Sequence, residues 1–336
     1  QDRTTSGTAA LDAEGTVVVD NHEGRITVET WDRAEVKYEA VVRPESGADH
    51  PEATVVRVDQ DTDRFVFRTE YDASQADDGD DEGLLDRLFG GVSQNLMPVE
   101  YTLTVPRGAR LEVDDHESEI EVQGLSGRAT LETHDGTIRL TDQGAEARVA
   151  SHDGPIRVAN QTGALTVDTH DGRVELTGQD GDADVESHDG PIRVEDHSGA
   201  VTINTHDSDI RLRSVDGRVR IDAHDGDVEA EGLRGGLRVD THEGSGRFAF
   251  AALTDDVDVS TDDGDFTLTV PNGTGFDLRT DFDDEDADLR ADVDLSSYRI
   301  GGMDEEDEVN YSGSINGGGP RLSLSADDGD FAIRTP

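Results

Sequence analysis

The sequence predicts an all-β fold: a parallel β-solenoid with 18-residue coils of two short strands each, and irregular strand-rich caps at both ends. The first observation behind this prediction is a column of eight histidines that recur every 18 residues. A period this strict requires the backbone to return to the same place once per coil. The histidines are His116, His134, His152, His170, His188, His206, His224 and His242.

The second observation is the apolar pattern within each period. In the unit SHDGPIRVANQTGALTVD, residues 151–168, two halves begin at Gly154 and Gly163, and each continues with an alternating apolar pair. Alternation with a period of two buries one face of a strand. We therefore expect a narrow core of Ile, Val, Leu and Ala between two parallel sheets, with about 4.8 Å of height added per coil.

The predicted solenoid is one continuous domain with three parts. Residues 1–105 form an N-terminal strand-rich cap with an acidic loop at 71–97, in which Leu84, Leu85, Leu88 and Phe89 have the spacing of one or two helical turns. Residues 106–265 form the regular solenoid. Residues 266–336 hold C-terminal coils, acidic loops at 281–294 and 304–308, and a last rung at 321–334. The strands predicted in the cap are 16–19, 25–30, 35–42, 54–58, 64–69 and 99–105.

The charge of the chain indicates its habitat and limits its partners. There are 78 acidic residues against 29 basic ones, for a net charge of −49. Such self-repulsion strains a compact chain at low salt, but molar salt screens it because the Debye length falls to about 3 Å. We therefore predict a halophilic protein of archaeal type. The same charge repels nucleic acid and anionic lipid, so neither is an expected partner.

Three features predict a protein at the cell surface or outside the cell. No apolar run approaches the ~20 residues that a transmembrane helix needs, so membrane insertion is not expected. The chain begins with Gln1 rather than Met, which indicates that a targeting segment has been removed. Three Asn-X-Ser/Thr sequons predict a glycoprotein. They lie at Asn160, Asn272 and Asn310.

Several motifs carry a resemblance to a known family. The segment NHEGRITV at 21–28 opens the chain, LTVP at 103–106 leads into the repeats, and GGGPRLSL at 317–324 precedes DGDFAI at 328–333. With these motifs the chain resembles the adhesin-like β-solenoid domains of unknown function found in bacterial and archaeal envelope proteins. The resemblance covers nearly the whole chain. It implies a solenoid fold, an envelope location, and a binding or structural role without agreed catalytic residues.

The histidine column lies at a predicted corner of the coil. If alternation continues into the corner, the residue before each histidine points inward and its hydroxyl satisfies backbone groups, while the histidines point outward and stack. A glycine follows the next acidic residue at most rungs, for which we predict a positive φ. The inward residues are Thr133, Ser151, Thr169, Ser187, Thr205 and Thr241.

The acidic column beside the histidines requires compensation, because stacked carboxylates repel one another. Four explanations remain open: a structural corner with partial imidazolium character, bound monovalent cations, a bound divalent metal, or pH sensing. If a metal binds, neutral His suits zinc, copper or nickel, and carboxylates suit calcium. No other cofactor is expected. The candidate metal ligands are His134, Asp135, His152, Asp153, His170, Asp171, His188, Asp189, His206, Asp207, His224 and Asp225. A neighbouring outward column mixes charges through Glu121, Arg139, Arg157, Glu175, Arg193, Arg211 and Glu229.

The sequence does not predict an enzyme. Ser151-His152-Asp153 contains the residue types of a hydrolytic triad, but neighbouring residues on one corner do not readily form the required relay. The same trio recurs at Ser187-His188-Asp189. A group repeated rung after rung suits a surface better than a single catalytic site.

Two non-enzymatic functions remain open. The favoured one is a structural or adhesive protein that assembles head to tail with copies of itself into a cell-surface filament, because solenoid ends expose unpaired strand edges. The polar first 15 residues are the segment predicted to lie across a neighbouring copy. The alternative is a monomeric envelope module that binds cell-surface glycans or cations along the His/Asp ladder.

Overall fold

The computed structural model describes residues 2–44, 51–72, 74, 96–282, 288–293, 295, 299–301 and 309–336. The predicted helical turns at 84–89 and the acidic run at 304–308 lie outside the described residues, as does part of the acidic loop at 281–294. The chain divides into two compact units, residues 1–156 and 157–336. The three parts predicted from the sequence, residues 1–105, 106–265 and 266–336, do not correspond to these two units and stay a prediction.

The first unit consists of β-strands with one short 3₁₀ helix, Pro51–Ala53, in its described part. The boundary between the units falls inside strand β13 (Ile156–Ala159). The strands before it are β1 (Arg3–Ala10), β2 (Thr16–Asp20), β3 (Gly24–Trp31), β4 (Glu35–Val42), β5 (Thr54–Gln60), β6 (Arg64–Tyr71), β7 (Val99–Pro106), β8 (Arg110–Asp114), β9 (Glu119–Gln123), β10 (Ala129–Thr133), β11 (Ile138–Thr141) and β12 (Ala147–Ser151).

Two sheets run through the first unit. One has the order β1-β4-β7-β3-β9-β11 and the other the order β5-β6-β2-β8-β10-β12. The pairs β1–β4, β4–β7 and β5–β6 are antiparallel, and the coils from β8 onward are parallel in an 18-residue register, with Ile138 opposite Ile120. The coil β2–β3 lies between the coils β6–β7 and β8–β9.

The second unit continues the two-strand coils. Its strands are β14 (Leu165–Thr169), β15 (Val174–Thr177), β16 (Ala183–Ser187), β17 (Ile192–Ser198), β18 (Val201–Thr205), β19 (Ile210–Asp216), β20 (Val219–Ala223), β21 (Val228–Arg234), β22 (Leu237–Thr241), β23 (Gly246–Ala252), β24 (Val257–Asp263), β25 (Phe266–Thr269), β26 (Phe276–Phe282), β27 (Leu289–Ala291), β28 (Arg299–Gly301), β29 (Val309–Ile315), β30 (Arg321–Asp328) and β31 (Phe331–Arg334). One sheet has the order β15-β17-β19-β21-β23-β25-β31-β27, and the other β14-β16-β18-β20-β22-β24-β30-β26-β29-β28.

The coil β30–β31 is not the last rung, which corrects the prediction for residues 321–334. Strand β30 pairs with both β24 and β26, and β31 pairs with both β25 and β27. Aromatic packing gives the physical reason: the Phe331 ring stacks on Phe266 and on Phe282, with 5.7 Å between centroids in each case. The end of the chain therefore inserts between two earlier coils.

The alternating apolar residues form the core of both units. In β10, for example, Ala129, Leu131 and Thr133 are buried while the residues between them face outward. Each fully buried Val, Leu or Ile contributes about 1.5–3 kcal/mol relative to an exposed one. The predicted all-β parallel solenoid with two-strand coils is confirmed.

The N-terminal cap differs from the prediction at its first strand. All six predicted cap strands are present, with ends within two residues of those expected. Residues 3–10, however, form β1 at the sheet edge, paired with β4 of the same chain from Arg3↔Val42 to Ala10↔Glu35. The polar sequence RTTSGTAA gave no apolar signal, and none of its side chains is buried. Backbone pairing with β4 holds this strand, together with the Arg3 guanidinium, which donates hydrogen bonds to the carbonyls of Pro51, Glu52 and Thr54.

The two corners of each coil use different backbone geometry. Gly136, Gly154 and Gly190, at the histidine corner, do not have a positive φ, so that prediction is wrong at these rungs. A Cβ at each of them would lie 1.8–2.0 Å from a carbonyl oxygen of the preceding coil, which explains the glycine by close approach. The prediction of a positive φ is confirmed at Gly226 and Gly244 of the same corner, whose φ values are 115° and 109°. A column of left-handed residues also stands at the opposite corner. They are Gly124, Asp142, Asn160, Gly178, Asp196, Ser214 and Gly232, with φ between 53° and 76°.

Candidate functional site

The histidine ladder is the outward column of imidazoles at one corner of the coils. In the first unit the rings of His22, His116, His134 and His152 stack with centroids 4.6–5.0 Å apart. In the second unit His170, His188, His206, His224 and His242 stack at 4.6–4.9 Å, with neighbouring planes within 8°. These distances equal the separation of paired strands, so the coil repeat sets the stacking.

Sequence reasoning missed His22 as a member of the ladder. It lies outside the 18-residue period, but its motif Asn21-His22-Glu23-Gly24 has the form of Thr133-His134-Asp135-Gly136. The coil β2–β3 pairs with β8–β9, and this pairing brings the His22 ring onto His116. The shared motif was the signal that could have found it.

Backbone hydrogen bonds fix the ladder corner from rung to rung. The carbonyl oxygen of His134 accepts hydrogen bonds from the N–H groups of both His152, at 3.0 Å, and Asp153, at 2.9 Å. The same double acceptance occurs in the second unit, where the His170 carbonyl accepts from His188 and Asp189. Each rung therefore positions the next imidazole and carboxylate together.

Six ladder imidazoles are each paired with the aspartate that follows them, whereas His242 contacts Asp262 through Nε2 at 3.3 Å. The distance from His Nδ1 to Asp Oδ1 is 2.6–2.9 Å at the pairs 134/135, 152/153, 170/171, 188/189, 206/207 and 224/225. A carboxylate only accepts hydrogen bonds, so the proton lies on Nδ1 and Nε2 faces outward. The hydrogen bond from His134 lowers the pKa of the Asp135 carboxyl below its ordinary value. All twelve predicted metal ligands are thus brought together in His–Asp pairs.

The ladder offers donor atoms for a metal, with a limit set by its spacing. Three groups, His188/Asp189/His206, His206/Asp207/His224 and His116/Glu117/Asp135, have candidate ligand atoms within 4.8 Å of one another. One zinc ion at 2.0–2.1 Å from two imidazole nitrogens requires those nitrogens within about 4.2 Å. Parallel rings at 4.6–4.9 Å would have to tilt toward each other to share an ion. Metal binding stays a prediction.

The inward column at this corner is made of hydroxyls, as predicted. Thr133, Ser151, Thr169, Ser187 and Thr241 are all buried, and Thr205 is half-buried. The hydroxyl of Thr133 donates to the His116 carbonyl at 3.1 Å, and its oxygen accepts a hydrogen bond from the Gly136 N–H at 3.2 Å. These contacts satisfy backbone groups that the turn leaves without strand partners.

A buried carboxylate replaces the hydroxyl at one rung of the first unit, and the sequence reading missed it. Asp115, at the position of Thr133 in the coil, accepts hydrogen bonds from the Ser118 N–H and hydroxyl, each at 2.5 Å, and from Thr133 at 3.2 Å. Asn21 donates to the Ser118 oxygen at 2.9 Å. Burial raises the pKa of the Asp115 carboxyl, and these donors oppose the shift. The position of Asp115 directly before a ladder histidine, where the other coils have Thr or Ser, was the sequence signal that could have identified it.

The column of mixed charges lies on the outward face, as predicted. Arg139 pairs with Glu119 and, at 3.3 Å, with Glu121 in the first unit. In the second unit Arg157 lies 2.9 Å from Glu175, and Arg211 lies 3.7 Å from Glu229. The remaining member, Arg193, lies opposite Glu175 on a paired strand. All of these side chains are partly exposed, so each pair contributes about 0–1 kcal/mol.

The three sequon asparagines have different surroundings. Asn160 is exposed at a left-handed corner position, and Asn272 is exposed with its amide nitrogen 2.9 Å from the Pro336 carbonyl. The Asn310 side chain is half-buried, and its oxygen accepts hydrogen bonds from the Thr280 hydroxyl and the Phe282 N–H. A glycan attached to the Asn310 side chain would therefore have to be accommodated beside these two hydrogen bonds. Glycosylation stays a prediction at all three positions.

The family of the chain follows from its sequence match. The family model described as Toastrack DUF4097 matches residues 16–217 and, in a second match, residues 198–334. The chain belongs to the Toastrack DUF4097 family. The resemblance to adhesin-like β-solenoid domains agrees with this family and with the observed sheets.

Two solved structures are similar to this chain over nearly their whole length. A candidate cell adhesion protein from Clostridium sporogenes is 9% identical, with 99% of this chain and 100% of that chain covered and a TM-score of 0.18. A candidate adhesin from Parabacteroides distasonis is 11% identical, with 98% and 97% covered and a TM-score of 0.29. No curated protein matches the chain. Within the described residues, none of the helices has the length and apolar character needed to cross a bilayer.

Proposed function

We propose that the protein is a non-enzymatic structural or adhesive protein of the cell surface that assembles with further copies of itself by exchange of strand β1. The observation that carries this proposal is β1 itself. It is an edge strand at the start of the chain, eight residues long, and it pairs with β4 without burying any side chain.

The energetics of β1 favour exchange between copies. Its attachment depends on backbone hydrogen bonds to β4 and on the Arg3 guanidinium, which donates to the carbonyls of Pro51, Glu52 and Thr54. The same bonds form when β1 of one copy pairs with the corresponding residues of another. Detachment exposes little apolar surface because Thr4, Thr5, Ser6 and Thr8 are exposed while attached. The following residue, Leu11, is buried and gives each exchanged strand a fixed anchor in its own chain.

The distribution of titratable groups favours a surface role over catalysis. In each unit the His–Asp pairs and the mixed-charge column recur at every regular coil, so the same chemistry is presented many times along a face. A catalytic centre requires one constellation that differs from its surroundings. A repeated polar face is suited to contact with an extended partner or with ions.

An exported location in molar salt completes the proposal. The net charge of −49 and the exposed Asn160 and Asn272 sequons support a halophilic, glycosylated protein. The thermal unfolding midpoint should rise steeply as sodium chloride increases from 0.1 M to molar concentration, because screening removes carboxylate repulsion. A midpoint that does not change over this range would contradict the halophilic part of the proposal.

A disulfide trap tests strand exchange, since the chain contains no cysteine. Ser6 on β1 and Glu39 on β4 face each other in register and are both exposed. In the double variant Ser6→Cys and Glu39→Cys, oxidation at high protein concentration should give a series of disulfide-linked oligomers on a non-reducing gel. Oxidation at high dilution should give a closed, monomeric chain that no longer assembles.

The control places the same trap where exchange is not expected. Arg211 and Glu229 face each other on β19 and β21 in the middle of the second unit, and both side chains are exposed. The double variant Arg211→Cys and Glu229→Cys should form only intramolecular disulfides at both concentrations. If the β1–β4 trap also gives only intramolecular disulfides at high concentration, the assembly proposal is wrong.

The second candidate function is a monomeric module that binds cations along the ladder. It is favoured by the outward Nε2 atoms and by the groups of ligand atoms within 4.8 Å. Titration with zinc followed by calorimetry should then give a stoichiometry above one ion per chain. Replacing His206, which belongs to two of the three groups, should reduce that stoichiometry.

A further inference from the structure

The outward face of the second unit contains an open groove of about 450 Å³. It lies on the strands β22, β24, β30 and β26, which are adjacent in one sheet. Its volume is within the range of pockets that hold small ligands, about 300–1,000 Å³. The groove is separate from the histidine ladder, because none of the ladder residues lines it.

The strand register explains why a groove forms here. One cross-strand row reads Arg238, Asp258, Ser323 and Arg279, in the order of the strands. The two arginines are exposed, while Asp258 and Ser323 between them are half-buried. Long side chains therefore stand on either side of short ones. Three strand spacings separate the two arginine positions, about 14 Å between Cα atoms.

The charges in the groove balance, in contrast to the composition of the chain as a whole. Four arginines and four aspartates line it: Arg218, Arg238, Arg279, Arg321, Asp255, Asp256, Asp258 and Asp281. Acidic residues outnumber basic ones 78 to 29 over the whole chain. An anionic ligand is thus repelled less at the groove than it would be by a surface of the chain's average charge.

Three of the four arginines are already paired. Arg218 lies 2.8 Å from Asp255, Arg321 lies 2.8 Å from Asp256, and Arg238 lies 3.2 Å from Asp258. Among the residues that the structure describes, the guanidinium of Arg279 has neither an ion pair nor a side-chain hydrogen bond. Arg279 can therefore bind a ligand carboxylate without first breaking an internal pair, through two parallel hydrogen bonds.

We infer that this groove binds a short acidic oligosaccharide, with a sugar carboxylate on Arg279 and sugar hydroxyls on Ser323, Ser325 and the Asp258–Arg238 pair. Sugar hydroxyls both donate and accept, so they match a floor that offers serine hydroxyls, a carboxylate and a guanidinium. An acidic peptide fits less well, because successive carboxylates would meet Asp258 and Asp281. This site is independent of β1 and of self-assembly.

Calorimetric titration with trigalacturonic acid tests the inference on the full chain in the salt that keeps it folded. The wild-type protein should bind this probe at least tenfold more tightly than neutral maltotriose. Arg279→Gln should weaken trigalacturonate binding at least tenfold and leave maltotriose binding unchanged, since it removes only the carboxylate contact. Ser323→Gln, which fills the floor, should weaken binding of both probes.

The matched control is Arg247→Gln, which removes an exposed arginine from β23 in the other sheet of the same unit. It should leave both affinities unchanged. Absence of trigalacturonate binding, equal weakening by Arg247→Gln, or equal binding of hexa-aspartate would each overturn the inference. The closed Ser6→Cys/Glu39→Cys monomer should bind trigalacturonate normally, so failure of assembly and failure of the groove are separate results.

Discussion

The chain turns from one sheet to the other at two corners of each coil, and the two corners use different residues to do so. At the ladder corner the chain turns through a glycine packed against the preceding backbone, with a hydroxyl inside and a histidine outside. At the opposite corner it turns through a left-handed residue, and the buried side chain varies from coil to coil. The buried residues there are Gln143, Gln161, Gln179, His197, Val215 and Leu233.

This difference separates what the fold requires from what it leaves free. The ladder corner uses glycine for close approach at most rungs and a buried serine at Ser118 and Ser208, while its exposed imidazoles contribute little burial. The opposite corner requires a residue that tolerates a left-handed backbone, and accepts either polar or apolar side chains inside. Repetition of the outward histidine is therefore not needed for turning, which favours a role at the surface.

The largest expected effect is at a ladder-corner glycine. A Cβ at Gly190 would lie 2.0 Å from the Gly172 carbonyl oxygen, a backbone atom that cannot move without shifting a strand. Gly190→Ala should lower the free energy of unfolding by about 3 kcal/mol in urea denaturation. Gly273→Ala is the control, because nothing lies within 4 Å of its Cβ and only left-handed strain of about 1 kcal/mol remains. Equal losses would contradict the close-approach explanation.

The buried histidine at the opposite corner should give the next largest effect. Neither ring nitrogen of His197 makes a hydrogen bond of ordinary geometry with a described residue. Burial lowers its pKa, and the backbone groups of Ala200 and Gly199 and the carboxylates of Asp182 and Asp180 only partly oppose this. His197→Leu should therefore raise the free energy of unfolding by about 1 kcal/mol at pH 8.

The pH dependence of that effect has a definite sign. The folded chain keeps His197 neutral, while the unfolded chain takes up a proton near pH 6.5. Wild-type stability is therefore complete above about pH 6.5 and falls as pH decreases below it. The gain from His197→Leu should grow between pH 7 and pH 5, as measured by urea denaturation at each pH. A gain that stays constant would show that His197 is not the group responsible.

A smaller effect is expected at a left-handed residue. Ser214 has a φ of 56° and an exposed side chain, so its conformation is strained without compensation from packing. Ser214→Gly should raise the unfolding midpoint, with a gain of up to about 1 kcal/mol. Asp196→Gly, at the same position one coil earlier, should gain less because aspartate tolerates this conformation better. A loss of stability in Ser214→Gly would contradict the assignment.

The smallest effect is expected on the ladder. His206 is half-exposed, and the contacts of its imidazole with described residues are stacking on His188 and His224 and the pair with Asp207. His206→Ala should change the free energy of unfolding by less than about 0.5 kcal/mol, in contrast to His197. A loss comparable to that of Gly190→Ala would mean that the ladder is part of the structural core.

The sequence was sufficient to predict the features that depend on the 18-residue period and on the alternation of apolar and polar residues. The coil length, the buried apolar pairs and the outward ladder all follow from side-chain spacing, and the structure has them. The positions of β1 and of the coil β30–β31 depend on which strands pair across long loops, and this is not encoded in any local pattern. The left-handed column at the opposite corner was visible as Gly, Asp, Asn and Ser spaced 18 residues apart, but the sequence reading looked for a positive φ only at the Asp-Gly corner, where it occurs at some rungs and not at others.

Electron microscopy of the purified protein in molar sodium chloride, compared with the same chain lacking residues 1–10, tests the central claim most directly. The full chain should form long, uniform fibres, and removal of β1 should leave only separate single-chain particles. Separate particles in both samples, or fibres that persist without β1, would contradict assembly by strand exchange.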